Sequence, residues 1–168
     1  MWDACNIFRN NSDLRNMTCI GTVHRNMLSR NESERGLFVK VSDLFVVVAE
    51  DEAINRLYLT RVLQSAGLKV VAVKDGVLAY DAAMESERPD FILMDLTMPR
   101  LNGLEASSRI RSAEAERALK NVPIIALTAH ARAEDRKACA DAGMNGFLMK
   151  PLAEKELWEE IKRVLEKS

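Results

Sequence analysis

The stretch FILMDLTMPRLNG, Phe91 to Gly103, runs four apolar residues into an acid and follows the acid with a turn. Phe91, Ile92, Leu93 and Met94 read as a strand buried on both faces, since no polar residue alternates with them. Asp95 ends the run. A carboxylate at the edge of a core is costly unless something neutralises it. Met98, Pro99 and Gly103 fit a turn after it, because Pro sets φ and Gly permits open backbone angles. Asp95 is therefore either a polar cap on a strand or a placed chemical group.

The pattern on both sides of this stretch repeats. LFVVVA at 44–49 is a second continuous apolar run, hence a buried strand. Residues 53–66 carry Ile54, Leu57, Tyr58, Val62 and Leu63 at helical spacing, and Gly67 closes that helix. KVVAV at 69–73 is a strand, and 77–86 a helix with Leu78, Ala79, Ala82 and Ala83 facing in. A helix follows Gly103 and runs through Ile110. PIIALT at 123–128 is the fourth strand, 133–142 an Ala-rich helix closed by Gly143, and GFLM at 146–149 the fifth strand. The last helix, 153–166, places Leu157, Ile161, Val164 and Leu165 on one face, with Trp158 beside that stripe. Five short apolar strands alternating with five helices predict a parallel sheet covered on both sides, with right-handed crossovers. Such a sheet puts its site at the carboxyl ends of its strands, where strand order reverses.

Composition sets the class. The chain has 168 residues, 48% apolar and 29% charged, with a net charge of −1. That balance suits a globular protein and gives no electrostatic case for nucleic acid or an acidic membrane. Its longest apolar runs fall far short of a membrane span, and an acid at Asp3 argues against a signal peptide. Cys5, Cys19 and Cys139 lack metal-type spacing and read as reduced thiols of a cytoplasmic protein. Residues 1–43 are rich in Asn, Arg and Ser in their first 36 positions. They are expected to form a disordered or loosely packed arm ahead of a domain at 44–168. LFVKV at 37–41 is a candidate extra strand within the arm, and Met17 and Met27 are alternative start sites.

The strand ends carry the chemistry. Glu50, Asp51 and Glu52 follow the first strand, Asp95 ends the third, Thr128 the fourth, and Lys150 follows the fifth, before Pro151. The second strand ends in Lys74 and Asp75 and is expected at an edge. Taken singly, an acid is a strand cap, Thr128 a helix cap and Lys-Pro a turn. Together they crowd carboxylates whose mutual repulsion is about 4 kcal/mol per pair at 4 Å and an effective dielectric near 20. A divalent cation relieves this, and oxygen ligands without His or Cys suit Mg²⁺. A lysine and a hydroxyl can hold phosphoryl oxygens, and a carboxylate in such a cluster can be the nucleophile that forms an aspartyl-phosphate.

Four motifs in order, VVVAEDE, MDLTMPRLNG, PIIALTAHA and GFLMKPL, resemble the receiver domain of two-component signalling, over roughly residues 44–168, in the form found in hybrid sensor kinases. The resemblance implies a flavodoxin-like sheet of order 2-1-3-4-5. It implies Asp95 as phosphoacceptor, and Asp51, Asp95 and the backbone carbonyl of Thr97 as Mg²⁺ ligands, with Glu50 acting through water. Thr128 would be the switch hydroxyl, Lys150 the phosphate-binding ammonium, Phe147 the switching aromatic, and Pro151 the residue after a cis peptide. Glu50 stands where the family more often has Asp, keeping the charge on a longer arm. His130, two positions past Thr128, reads as an exposed helix-start residue and takes no catalytic role.

The implied partner is a histidine kinase or histidine phosphotransfer protein. Output is expected through the fourth helix, fifth strand and fifth helix, to a downstream protein or a second copy; Trp158 is a candidate contact there, with partial burial in the core its more usual reading. No output domain is expected after the last helix, so the domain is expected to signal by protein contact or to be the tail of a larger kinase. The chain is expected to be a switch rather than a turnover enzyme. Three rivals differ in class. An aspartyl-nucleophile phosphohydrolase would want an acid two residues past Asp95, where Thr97 stands. A flavin or nucleotide module would want a Gly- or Ser/Thr-rich loop where AEDEAIN stands. A receiver-like interaction module that is never phosphorylated would not need the full acid, hydroxyl and lysine set.

Overall fold

The computed structural model describes residues 44–129 and 132–168. The readings made of residues 1–43 and of His130 lie outside the described residues. Ten elements alternate: β1 Phe45–Ala49, α1 Ala53–Ser65, β2 Lys69–Val73, α2 Gly76–Met84, β3 Phe91–Asp95, α3 Gly103–Glu116, β4 Ile124–Thr128, α4 Ala133–Asp141, β5 Gly146–Met149 and α5 Glu154–Leu165. All strand pairs are parallel, in the order β2-β1-β3-β4-β5. The expected sheet is the one observed.

Every residue of β1, β3 and β4 is buried, as unbroken apolar runs require when helices cover both faces. β2 is the exposed edge. Alternation along β1 sorts the core into two layers. Val46 and Val48 pack with Leu59 and Leu63 of α1 and with Leu157, Trp158 and Ile161 of α5. Phe45, Val47 and Ala49 pack with Ala79 and Ala83 of α2 and with Ala106 and Ile110 of α3. Small alanines on α2 and α3 let those helices lie close to the sheet.

Two sequence expectations are corrected. On α1 the apolar residues form two stripes, and only one faces the sheet. Leu59 and Leu63 are fully buried, whereas Ile54, Leu57 and Tyr58 are 76%, 51% and 42% exposed. At 3.6 residues per turn these two sets lie on nearly opposite sides of the helix. The core-burial reading of Trp158 holds, the side chain being only 2% exposed. Finally, α3 runs on past Ile110 to Glu116.

The reason for that extension is Glu114. Its side chain is fully buried, yet its carboxylate accepts from Arg88 Nη2 (2.5 Å), Arg111 Nη1 (2.5 Å) and the Val122 amide (2.7 Å). Arg111 also donates to the carbonyls of Gly143 and Val122. One buried acid thus ties α3 to the segments entering β3 and β4. Glu114→Ala strands two part-buried guanidinium groups and one buried amide. It is expected to cost about 3–5 kcal/mol, the usual result of removing one partner from a buried ion pair. Urea unfolding would show this as a lower midpoint at constant slope.

Candidate functional site

The carboxyl ends of β1, β3, β4 and β5 meet at one rim. Glu50, directly after β1, is fully buried, and Asp51 is exposed. Asp95 closes β3 and Thr128 closes β4, both buried. Lys150 follows β5, with its amide donating to the Thr128 carbonyl at 2.7 Å. The Lys150–Pro151 peptide is cis, as expected for this pair. Lys150 Nζ lies 2.8 Å from Asp95 Oδ2, 2.9 Å from Glu50 Oε1 and 2.7 Å from Glu50 Oε2. Ligand oxygens of Glu50, Asp51 and Asp95 all fall within 4.8 Å of one another. The Thr97 amide donates to Asp95 Oδ1 at 3.1 Å.

The electrostatics follow from burial. Desolvation pushes the Glu50 carboxyl above its ordinary value and the nearby Asp95 charge adds to this, while Lys150 and Asn55 pull the other way. Burial works to lower the Lys150 ammonium, but hydrogen bonds to Asp95 and Glu50 outweigh it and hold Lys150 above its usual value. Three carboxylates against one ammonium leave two negative charges uncompensated. A hard divalent cation answers this deficit, and the all-oxygen donor set suits Mg²⁺. The residues present therefore fit the ion.

Two side chains that hold the rim were not singled out in the sequence. Arg56 Nη1 donates to the carbonyls of Glu50 (2.7 Å) and Asp51 (2.9 Å), and Asn55 Nδ2 reaches Glu52 and Glu50. Their only sequence signal is their place on the first turn of α1, one helical step from the acids. A groove opens beside Asp95, between Leu96, Thr97 and Met98 on one wall and Thr128, Arg132 and Asp135 on the other. Phe147 stands apart from the acids. Arg136 of α4 lies 4.4 Å over its ring, and its amide donates to Glu160 at 2.9 Å.

A flavodoxin-like α/β sheet with an acidic, cation-binding rim and one lysine across it defines the class. The chain belongs to the response regulator receiver domain family, which its sequence matches over residues 46–162. It is 39% identical over 112 residues to the sensor protein GacS of Pseudomonas syringae pv. syringae, a match covering 67% of this chain and 12% of that protein. It is 38% identical over 144 residues to hybrid signal transduction histidine kinase I of Dictyostelium discoideum, covering 81% of this chain and 8% of that protein. The chain thus spans a small part of the length of these curated relatives. Among solved structures it is similar to the receiver domain of sensor histidine kinase PA1611 from Pseudomonas aeruginosa PAO1, which has a magnesium ion coordinated in its active-site cleft. The TM-score is 0.62 and the identity 40%, over 74% of this chain and 95% of that one. No helix among the described residues is long and apolar enough to cross a membrane.

Proposed function

We propose that this receiver domain, residues 44–168, takes a phosphoryl group onto Asp95 from a phosphohistidine of a histidine kinase or a histidine phosphotransfer protein in the cytoplasm. The observation that carries this reading is Lys150, whose ammonium touches Asp95 and Glu50 at once, with Asp51 beside them. A carboxylate oxygen of Asp95 attacks phosphorus. A P–O bond forms as the P–N bond breaks, and the imidazole leaves with that electron pair, neutral because its other nitrogen keeps a proton. Lys150 stabilises the charge on the transferring oxygens, and the Thr128 hydroxyl donates to one of them. Asp51, Asp95, the Thr97 carbonyl and, through water, Glu50 would hold Mg²⁺, which would supply the remaining positive charge.

The product carries nearly two negative charges at neutral pH. Drawing Thr128 toward it shifts the loop after β4, and Phe147 leaves its place under Arg136 by repacking alone, since it has no hydroxyl. Output then runs through α4, β5 and α5, to a downstream protein or a second copy. Trp158 takes no part, because it is buried.

The exposed stripe of α1 completes the reading. Ile54, Leu57 and Tyr58 stand on the first turns after Asp51, and Met149 is 51% exposed directly before Lys150. Exposed apolar side chains on elements that adjoin a charged site suit a docked protein donor, which must exclude water around the transferring group. Leu57→Asp is therefore expected to slow transfer from a phosphohistidine protein at least about tenfold, the size of a modest hot spot. Its labelling by acetyl phosphate should stay at the wild-type rate.

The test of the function is incubation with acetyl phosphate, with and without Mg²⁺, read by intact mass and peptide mapping. One base-labile phosphoryl group on the peptide containing Asp95, formed only with metal, is expected. Steady release of phosphate without a labelled protein would instead mark a phosphohydrolase. No labelling from acetyl phosphate or from any phosphohistidine protein would mark an interaction module.

A further inference from the structure

The turn between β3 and α3 carries Thr97 and leads from Asp95 to Gly103. Its ends are tied to the site: the Thr97 amide donates to Asp95, and the Gly103 amide to the Leu96 carbonyl at 3.1 Å. Its middle is tied elsewhere, to the start of α2. The Gly76 amide donates to the Leu101 carbonyl at 3.1 Å, and a side chain at Gly76 would run into that same carbonyl. Beside this bond, Arg100 forms an ion pair with Asp75 through Nη2 and Oδ2.

Two features set this pair apart from an ordinary surface salt bridge. Asp75 is buried, and its other oxygen, Oδ1, already accepts from the Val77 and Leu78 amides at 3.0 Å each, so the carboxylate cannot swing away. Arg100 has a φ of 66°, a left-handed conformation that favours Gly or Asn and that an arginine adopts at a cost. The backbone there would be easier with Gly, so the side chain must supply the compensation.

We infer that Arg100 is a positioning residue for the metal site: clamped on Asp75, it holds the turn in the one conformation that presents Thr97 to the cation. This rests on the proposed role of the Thr97 carbonyl. Such outer partners of a metal site commonly change metal affinity by ten- to a hundredfold when removed.

The test uses Arg100→Gly, which removes the guanidinium and relieves the positive φ, and Asp75→Asn, which keeps a capping oxygen but not the charge. Arg100→Lys keeps the charge without the fork. Mg²⁺ affinity is measured by calorimetry, amide hydrogen exchange on the metal-free protein, and the thermal midpoint alongside. Arg100→Gly and Asp75→Asn are each expected to weaken Mg²⁺ binding about tenfold, with Arg100→Lys between them and wild type. The Gly76 amide should exchange faster in metal-free Arg100→Gly, although its thermal midpoint is held. Mg²⁺ affinity within twofold of wild type in both variants, or losses that track the thermal midpoint alone, would overturn the inference. If wild type binds Mg²⁺ but accepts no phosphoryl group, the phosphoacceptor reading fails, and calorimetry on the variants still decides the role of Arg100.

Discussion

Asp95→Ala is expected to gain no phosphoryl group from acetyl phosphate under conditions that label the wild type fully. The loss should be complete rather than partial, because the substitution removes the attacking oxygens and not a helper. The neighbouring acids are poor substitutes. Glu50 is buried and already engaged by Lys150, and Asp51 is exposed without contact to the ammonium. The variant should remain folded, since the Asp95 side chain sits at the rim and β3 keeps Phe91 to Met94 in the core. Mg²⁺ binding should weaken, because one of three carboxylates is gone. Intact mass gives the labelling and calorimetry the binding. A phosphoryl group still found on Asp95→Ala would move the nucleophile to Asp51 or Glu50, and peptide mapping would say which.

The fold was legible because its signals are local. β1, β3 and β4 are unbroken apolar runs, and such runs are needed only where helices cover a sheet on both sides. The rim was legible for a related reason: in a doubly wound sheet the residues after the strands converge, so Glu50, Asp51, Asp95, Thr128 and Lys150 could be grouped before their distances were seen. What was not legible depends on direction or on distant partners. Helix periodicity finds apolar residues on α1 but cannot tell a stripe facing the sheet from one facing a partner, so Ile54, Leu57 and Tyr58 read alike with Val62 and Leu63. Arg88, Glu114 and Arg111 reveal nothing as letters, because the meaning of a buried acid lies in cations brought by other segments. The same holds for Asp75 and Arg100, 25 positions apart and in no periodic relation. Phe147 was expected to move on packing alone, with no sign that Arg136 would cover its ring.

Lys150→Met should slow labelling by acetyl phosphate about a hundredfold, the usual cost of removing one preorganised donor from a developing anion. Methionine keeps most of the volume, so the effect isolates the charge. The variant also makes a prediction about pH in the absence of metal. Glu50 titrates higher in the folded protein than its ordinary 4.5, chiefly through burial. A carboxyl whose folded value is raised binds its proton more tightly when folded. Its contribution to stability is greatest below 4.5 and is lost as pH rises through the folded value. Lys150 opposes this loss by pulling Glu50 down, so without it the acid-side decline should extend to higher pH. Lys150 itself titrates above its ordinary 10.5, so its stabilising contribution is complete below that value and disappears only in strong alkali, as pH rises through the folded value. With EDTA present, Lys150→Met should therefore melt well below wild type at pH 8, and the gap should narrow at pH 5, where Glu50 can accept a proton. Mg²⁺ should narrow it again at pH 8, since a cation bound only by the folded state stabilises it by mass action and stands in for the missing ammonium. Thermal melts at the two pH values, with EDTA and with Mg²⁺, check all three statements. A gap that ignores both pH and metal would mean that Lys150 supports the fold through packing of its stem rather than by neutralising Glu50 and Asp95.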